Sequence, residues 1–121
     1  MAKDDYDVIV YRILVYLYGC FKHEIMFEDL TFEAAVRKHV KSDEYFTGIL
    51  QMMQEEGFIT GLVFVNAWGG DVLLASDMRD VRITAKGIHY LEDNDKMKKV
   101  GEMLKGAVDL IASLASILSL V

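Results

Sequence analysis

The sequence contains no proline and only one cysteine, Cys20. A single cysteine excludes an internal disulfide and any metal site built from several cysteines, so the fold must rest on its hydrophobic core. Because proline is absent, glycine, asparagine and aspartate are left to mark the ends of helices and strands. The length of 121 residues is that of one domain, and a hydrophobic fraction of 53% is sufficient for a buried core.

Basic residues are also scarce, with 13 Lys and Arg against 19 Asp and Glu and a formal net charge of −6. The deficit lies in one segment: residues 42–80 contain one basic residue, Arg79, and seven acidic ones, whereas the segments on either side are nearly balanced. A protein that coats nucleic acid requires an excess of positive charge. The composition therefore argues against that class.

The chain also lacks the patterns of a secretory signal and of a membrane helix. The first needs a basic N-terminus before an apolar run, and the second needs about 20 consecutive apolar residues. The most apolar stretch, 107–121, is 15 residues long and contains Asp109. We therefore expect a cytoplasmic protein whose C-terminal helix packs against protein, with a membrane-associated tail as the alternative.

Hydrophobic spacing predicts a helix where apolar residues recur every three or four positions and a strand where they alternate. Ser42 and Thr84 are predicted N-caps, as is either Asp29 or Thr31, and Gly57 is predicted to end a helix. The predicted helices lie at about 5–21, 31–40, 43–56, 85–93 and 96–120, and the predicted strands at about 58–65, 72–75 and 81–83.

This order predicts an α+β fold of the winged helix-turn-helix type. Three helices are followed by a β-hairpin wing and a fourth helix, and an apolar C-terminal helix comes last. Residues 1–94 are predicted to form the winged-helix domain. Residues 95–121 are predicted to form a helix that either mediates dimerisation or completes the core.

Two segments resemble the YjcQ-like family of small winged-helix proteins from bacteria and their phages. Ser42–Leu62, SDEYFTGILQMMQEEGFITGL, resembles the third helix and first strand of that family. Arg82–Asn94, RITAKGIHYLEDN, resembles its closing L-T-x-K-G-x-x-Y-L-x-x-N segment. The resemblance implies a winged helix and a DNA-binding role that is inferred from the fold alone. Val65–Asp80 is longer than a simple wing.

A winged helix normally presents its third helix and its wing to DNA, and here these two elements carry the negative charge. Affinity for a duplex depends on Lys and Arg at the phosphates, so we expect weak or no binding to generic DNA. Gln51 or Gln54 has the amide chemistry to read adenine, but a solvated helix face is the alternative. The predicted recognition surface consists of Glu44, Thr47, Gln51, Gln54 and Glu55. The candidate basic contacts are Arg37, Lys38, Lys41, Arg79, Arg82 and Lys86.

Residues with catalytic chemistry are scattered in the sequence. His23, His39 and His89 lie far apart, and none forms an i, i+4 metal pair. Cys20 lies in an apolar helix, where a small buried side chain is the expected role. We therefore expect no catalytic residue, no metal, no cofactor and no enzymatic activity.

The C-terminal helix has a wide apolar stripe whose 3-4 spacing is typical of helix pairing. It can cover the outer side of the first helix, where Val8, Tyr11, Val15 and Tyr18 lie, either within one chain or between two. We expect a symmetric homodimer, with completion of a monomer core as the alternative. The predicted interface consists of Val100, Met103, Leu104, Leu110, Ile111, Leu114, Ile117 and Leu118.

The expected function is that of a non-catalytic interaction module or accessory regulator of bacterial or phage origin that binds a protein with a basic surface. A transcriptional regulator that binds DNA through a dimeric winged helix is the alternative. Trp68 lies in the turn between the predicted wing strands. It either packs back on the sheet or anchors a partner.

Overall fold

The computed structural model describes residues 5–105. The helices in this range are α1 (Tyr6–Phe21), α2 (Asp29–Ala35), α3 (Asp43–Glu55), α4 (Ala85–Asp93) and α5 (Asp95–Lys105). The strands are β1 (Ile59–Thr60), β2 (Phe64–Asn66), β3 (Val72–Leu74) and β4 (Arg82–Ile83). Two short 3-10 turns lie at Arg37–His39 and Met78–Asp80.

Helix α1 is the central element of the core. It contacts α2, α3, α4, α5 and β4. Its residues Ile9, Ile13 and Leu14 are fully buried, and even Arg12 has no exposed surface. A helix that is apolar on all sides must be covered on more than one side, and this arrangement explains the unusual composition of the segment.

Helix α2 begins earlier and ends sooner than the predicted helix over 31–40. Its N-cap is Glu28, which has extended backbone angles, so the prediction of Asp29 or Thr31 as the cap is wrong. The Tyr16 hydroxyl lies 2.7 Å from the Thr31 hydroxyl and accepts a hydrogen bond from the Glu28 N–H at 3.2 Å. Thr31 is therefore drawn towards Tyr16 of α1, a contact that no local sequence signal reveals.

The predicted strand over 58–65 is divided into β1 and β2 at Gly61. This residue has φ of +99°, and a Cβ built there would lie 2.3 Å from the Asp80 carbonyl oxygen. Only glycine adopts this conformation readily and allows such an approach. The chain therefore turns at Gly61 instead of continuing as one strand.

The four strands form one long interrupted hairpin. β1 pairs with β4 and β2 pairs with β3, both antiparallel, which gives two two-stranded sheets. Between the paired regions, residues 61–62 on one arm lie opposite residues 76–81 on the other, which include the second 3-10 turn. The architecture is α+β, and three helices followed by a hairpin and a fourth helix are compatible with a winged helix.

The end of α3 is joined to the start of α4 through Thr84. The Thr84 side chain accepts a hydrogen bond from the Gly87 N–H at 3.0 Å, which confirms the predicted cap, and donates one to the Gly57 carbonyl. The Thr84 N–H donates to the Phe58 carbonyl at 3.1 Å. One residue thus satisfies groups on both sides of the joint.

Gly87 allows α4 to lie directly against β1. A Cβ at this position would lie 2.2 Å from the Phe58 carbonyl oxygen. On the next turn the Tyr90 ring stacks on the Phe58 ring, with centroids 4.2 Å apart, and the Lys86 amine lies 5.7 Å from the Phe58 ring centroid. These contacts give a structural reason for the T-x-K-G-x-x-Y pattern.

Helix α5 packs on the first half of α1 within the same chain. Val8, Val100 and Leu104 form a small buried cluster with Tyr11 beside it, and Met97 joins the main core. The side of α1 that carries Val8 and Tyr11 is therefore covered by α5 of the same chain. Among residues 5–105, no helix has the length and apolar character needed to cross a membrane.

We predict that Gly87→Ala destabilises the protein by about 2–3 kcal/mol, because the new methyl group overlaps the Phe58 carbonyl. Gly48→Ala is the matched control, since nothing lies within 4 Å of a Cβ built at this helical position. We expect the control to be neutral or to stabilise the protein by up to about 1 kcal/mol. Urea unfolding of the two variants measures both changes. Equal stabilities would contradict the close approach of Gly87 to the Phe58 carbonyl.

Candidate interaction surface

The start of α3 is organised by its own cap and by Arg37. Ser42 accepts a hydrogen bond from the Tyr45 N–H at 3.2 Å, as predicted for the N-cap. One guanidinium nitrogen of Arg37 bonds to the Val40 carbonyl and the other to the Asp43 carboxylate. The guanidinium also lies 5.1 Å from the Phe46 ring centroid. Arg37 thus stabilises the entry to α3 and is not available as an extended phosphate contact.

Glu44 projects from the same turn into solvent. Its own backbone N–H and the Ser42 hydroxyl donate hydrogen bonds to the carboxylate and lower the pKa of Glu44. The negative charge is therefore stabilised at the helix N-terminus, where the helix dipole also favours it. In a winged helix that binds DNA, this end of the third helix enters the major groove, where negative charge is repelled by the phosphates on either side.

The side chain of Gln54 is hydrogen-bonded to the backbone of its own chain. Its side-chain amide donates to the Leu62 carbonyl at 2.8 Å and accepts from the Leu62 N–H at 2.9 Å. Both ends of the amide are therefore used to hold the segment between β1 and β2 against α3. Gln54 has no free edge to read a base. Thr47 and Gln51 are half-buried, whereas Glu44 and Glu55 are exposed.

The candidate basic contacts beside the hairpin also face their own chain. Arg79 forms an ion pair with Asp29 at 3.1 Å, which links the second 3-10 turn to α2. Arg82 donates to the Arg79 and Val81 carbonyls at 2.9 and 3.0 Å. Lys86 covers the Phe58 ring, and Lys38 and Lys41 are exposed. Four of the six basic candidates thus contact their own chain, whereas Lys38 and Lys41 are exposed.

Acidic side chains dominate the exposed part of α3 and the hairpin. We name this set the acidic surface: Asp43, Glu44, Glu55, Glu56, Asp71, Asp77 and Asp80, all of which are exposed. Helix α3 and strand β3 are in contact, so the acidic residues of the helix and of the hairpin belong to adjoining elements. The single basic residue in this part of the sequence, Arg79, is paired with Asp29.

The hairpin also exposes large apolar side chains. Trp68 at the tip is 101% exposed, so it does not pack back on the sheet. Val63, Val65 and Leu73 are each about half exposed, at 55%, 45% and 52%. Of these side chains, only Trp68 was expected from the sequence to anchor a partner. Successive side chains of a strand point to opposite faces. This alternation indicates that Val65 and Leu73 are exposed, because their neighbours Phe64 and Leu74 pack against the core.

An open groove of about 940 Å³ lies between the end of α1, the loop over 22–28 and the segment 79–83, which includes β4. Cys20 lines this groove. Burial raises the pKa of its thiol to about 11, and nearby Arg82 acts in the opposite direction. The thiol is therefore protonated at neutral pH, the form that is not nucleophilic.

The histidines are placed separately. His89 lies 3.8 Å from Asp93 on the exposed side of α4, whereas His23 follows α1 and His39 lies in the first 3-10 turn. Within the described part of the chain, no three His, Cys, Asp or Glu residues are arranged to hold a metal ion.

The predicted dimer residues fall into three groups. Val100 and Leu104 are 0% and 3% exposed and are buried on α1 of the same chain, whereas Met103 is 39% exposed. Leu110, Ile111, Leu114, Ile117 and Leu118 lie outside the described residues.

The chain has an α+β fold. Its hairpin exposes acidic and apolar side chains, whereas a hairpin that binds DNA would expose basic ones. A family model described as YjcQ protein matches residues 11–110. This match spans most of the sequence, and the chain belongs to that family. Neither the curated proteins nor the solved structures contain a significant match.

We predict that Gln54→Ala lowers the free energy of unfolding by about 1–2 kcal/mol, because it leaves the backbone groups of Leu62 without their side-chain partners. Gln51→Ala removes the same amide one helical turn earlier and is the control, with an expected change within about 0.5 kcal/mol. Chemical denaturation compares the two. A Gln51 variant that loses as much stability as the Gln54 variant would refute the specific role of Gln54.

Proposed function

We propose that the protein is a non-catalytic winged-helix interaction module that recognises a protein partner with a basic surface. The observation that carries this proposal is the state of the charged side chains on α3 and the hairpin. The acidic residues project into solvent, while Arg37, Arg79 and Arg82 are held by carboxylates or carbonyls of their own chain.

The same observation disfavours duplex DNA as the main ligand. A DNA-binding protein gains much of its affinity by neutralising phosphates, and the acidic surface would instead repel them. Releasing Arg37 or Arg79 for a phosphate would break contacts with Asp43 or Asp29. A basic protein surface needs no such rearrangement and gains from charge complementarity, which raises both association rate and specificity.

Two fluorescently labelled probes test the proposal: a Lys–Ala peptide and a mixed-sequence DNA duplex. We expect salt-sensitive binding of the peptide and no submicromolar binding of the duplex, both measured by anisotropy. Glu55→Gln/Glu56→Gln removes two charges from the acidic surface and should weaken peptide binding several-fold. Glu33→Gln/Glu92→Gln removes the same charge from α2 and α4 and serves as the control.

Submicromolar affinity for the duplex with a steep salt dependence would overturn the proposal and favour the DNA-binding regulator. Equal losses of peptide affinity in the two double variants would also contradict it, because they would show that net charge acts without a defined surface.

For assembly, we propose a homodimer that uses the C-terminal part of the chain. Because Val100 and Leu104 are buried within one chain, the contribution of α5 to a contact between chains rests on exposed Met103. Light scattering should give a dimer mass for the full chain and a monomer mass for a chain that ends at Lys105, which retains α5. Met103→Glu in the full chain should weaken the dimer, and identical masses for all three proteins would contradict this arrangement.

A further inference from the structure

The hairpin has two faces that differ in burial. Phe64 lies opposite Leu74, and both pack against the core. Val65 lies opposite Leu73, and both are about half exposed. Because successive side chains point to opposite faces of a strand, Val65 and Leu73 form a pair on the outer face.

Val63 extends this outer face. Its carbonyl accepts a hydrogen bond from the Ala75 N–H at 2.8 Å, and its N–H donates to the Ser76 hydroxyl at 2.9 Å, so the hairpin pairing continues through this position. Val63 and Val65 are two positions apart, and this spacing places their side chains on the same face of the strand. We name Val63, Val65, Leu73 and the tip residue Trp68 the apolar hairpin surface.

The tip that carries Trp68 has a defined backbone. The Ala67 N–H donates to the Asp71 carbonyl at 2.6 Å, and the Gly70 N–H donates to the Ala67 carbonyl at 3.2 Å. Gly69 and Gly70 have φ of +88° and +86°, a conformation that glycine adopts without strain. The Trp68 ring therefore projects into solvent from a hydrogen-bonded turn, where a partner can bury it as an aromatic anchor.

The charges beside this surface indicate what can cover it. Asp71 follows the tip, Asp77 and Asp80 lie on the returning arm, and α3 adds Glu55 and Glu56 from the neighbouring element. A second copy that docked symmetrically through the hairpin would bring like charges together. A nucleic acid or an anionic bilayer would meet the same repulsion. A cleft flanked by Lys and Arg would meet the opposite sign.

We propose that the apolar hairpin surface docks into an apolar cleft of a protein partner whose rim carries Lys and Arg, with Trp68 as the anchor. This inference rests on the proposed function and adds to it the contact that supplies most of the binding energy. Aromatic anchors buried at the centre of an interface dominate its affinity, while surrounding charges set its specificity.

The intrinsic fluorescence of Trp68 provides a direct test, because it is the only tryptophan in the sequence. The probes are a labelled amphipathic Lys–Leu peptide, its Glu–Leu counterpart and phosphatidylcholine vesicles. We expect the Lys–Leu peptide to shift the emission of Trp68 to shorter wavelengths and to reduce its quenching by acrylamide. The Glu–Leu peptide and the vesicles should leave both signals unchanged.

Val65→Thr/Leu73→Thr removes the outer apolar pair and places a β-branched residue, which suits a strand, at both positions. We expect this variant, and Trp68→Ala separately, to bind the Lys–Leu peptide about tenfold more weakly or worse, measured by anisotropy of the peptide. Met26→Thr is the control, since Met26 is 78% exposed in the loop before α2. It should change the affinity less than about twofold.

Normal binding of the Lys–Leu peptide by both hairpin variants would overturn the inference. If Glu55→Gln/Glu56→Gln still weakened the Lys–Ala peptide in that case, the proposed function would stand without the apolar anchor. Equal responses to the Lys–Leu and Glu–Leu peptides would overturn both proposals, and an equal response to vesicles would assign the hairpin to lipid in place of protein.

Discussion

The joint between α3 and α4 is the constraint on which the rest of the surface depends. Thr84 bonds to groups on both sides of it, and Gly87 lets the helix approach the Phe58 carbonyl. Because Phe58 precedes β1 and Thr84 follows β4, this contact closes the base of the hairpin. The closed base sets where the hairpin leaves the core, and therefore where Trp68 and the acidic residues are presented.

Several polar side chains in and beside α3 and the hairpin form contacts within the chain and are therefore not directed at a ligand. Gln54 holds Leu62, Arg37 holds the entry to α3, and Arg79 ties the hairpin to α2. What remains exposed on α3 and the hairpin is negative charge and apolar surface. A fold of this class is compatible with DNA reading, but function is decided by the side chains that a fold presents.

Local signals predicted a large part of this structure. Ser42, Thr84 and Gly57 marked helix ends correctly, because capping depends on residues only a few positions apart. The family was also recognisable from short motifs. One of them contains Thr84 and Gly87, whose contacts join α4 to the end of α3 and to Phe58. These features are encoded within short stretches of sequence.

Contacts between distant segments were not predictable in the same way. The break at Gly61 depends on the Asp80 carbonyl, and the start of α2 depends on Tyr16 of α1. The spacing of Gln54 placed it on the predicted outer side of a helix, where Gln51 or Gln54 could read adenine or lie in a solvated face. Its bonds to Leu62 exist only once the hairpin has folded back on α3. The negative charge of the surface was predictable from the sequence, whereas the contacts that Gln54 and Arg79 make within the chain were not.

Amide chemical-shift mapping of the full chain with the Lys–Leu peptide, and separately with duplex DNA, locates the surface that each ligand occupies. We predict that the peptide perturbs the amides of Glu55, Glu56 and the hairpin from Val63 to Leu73, and that the duplex perturbs none of them at physiological salt. Shifts centred on Lys38, Lys41 and the first turn of α3 upon addition of the duplex would contradict it.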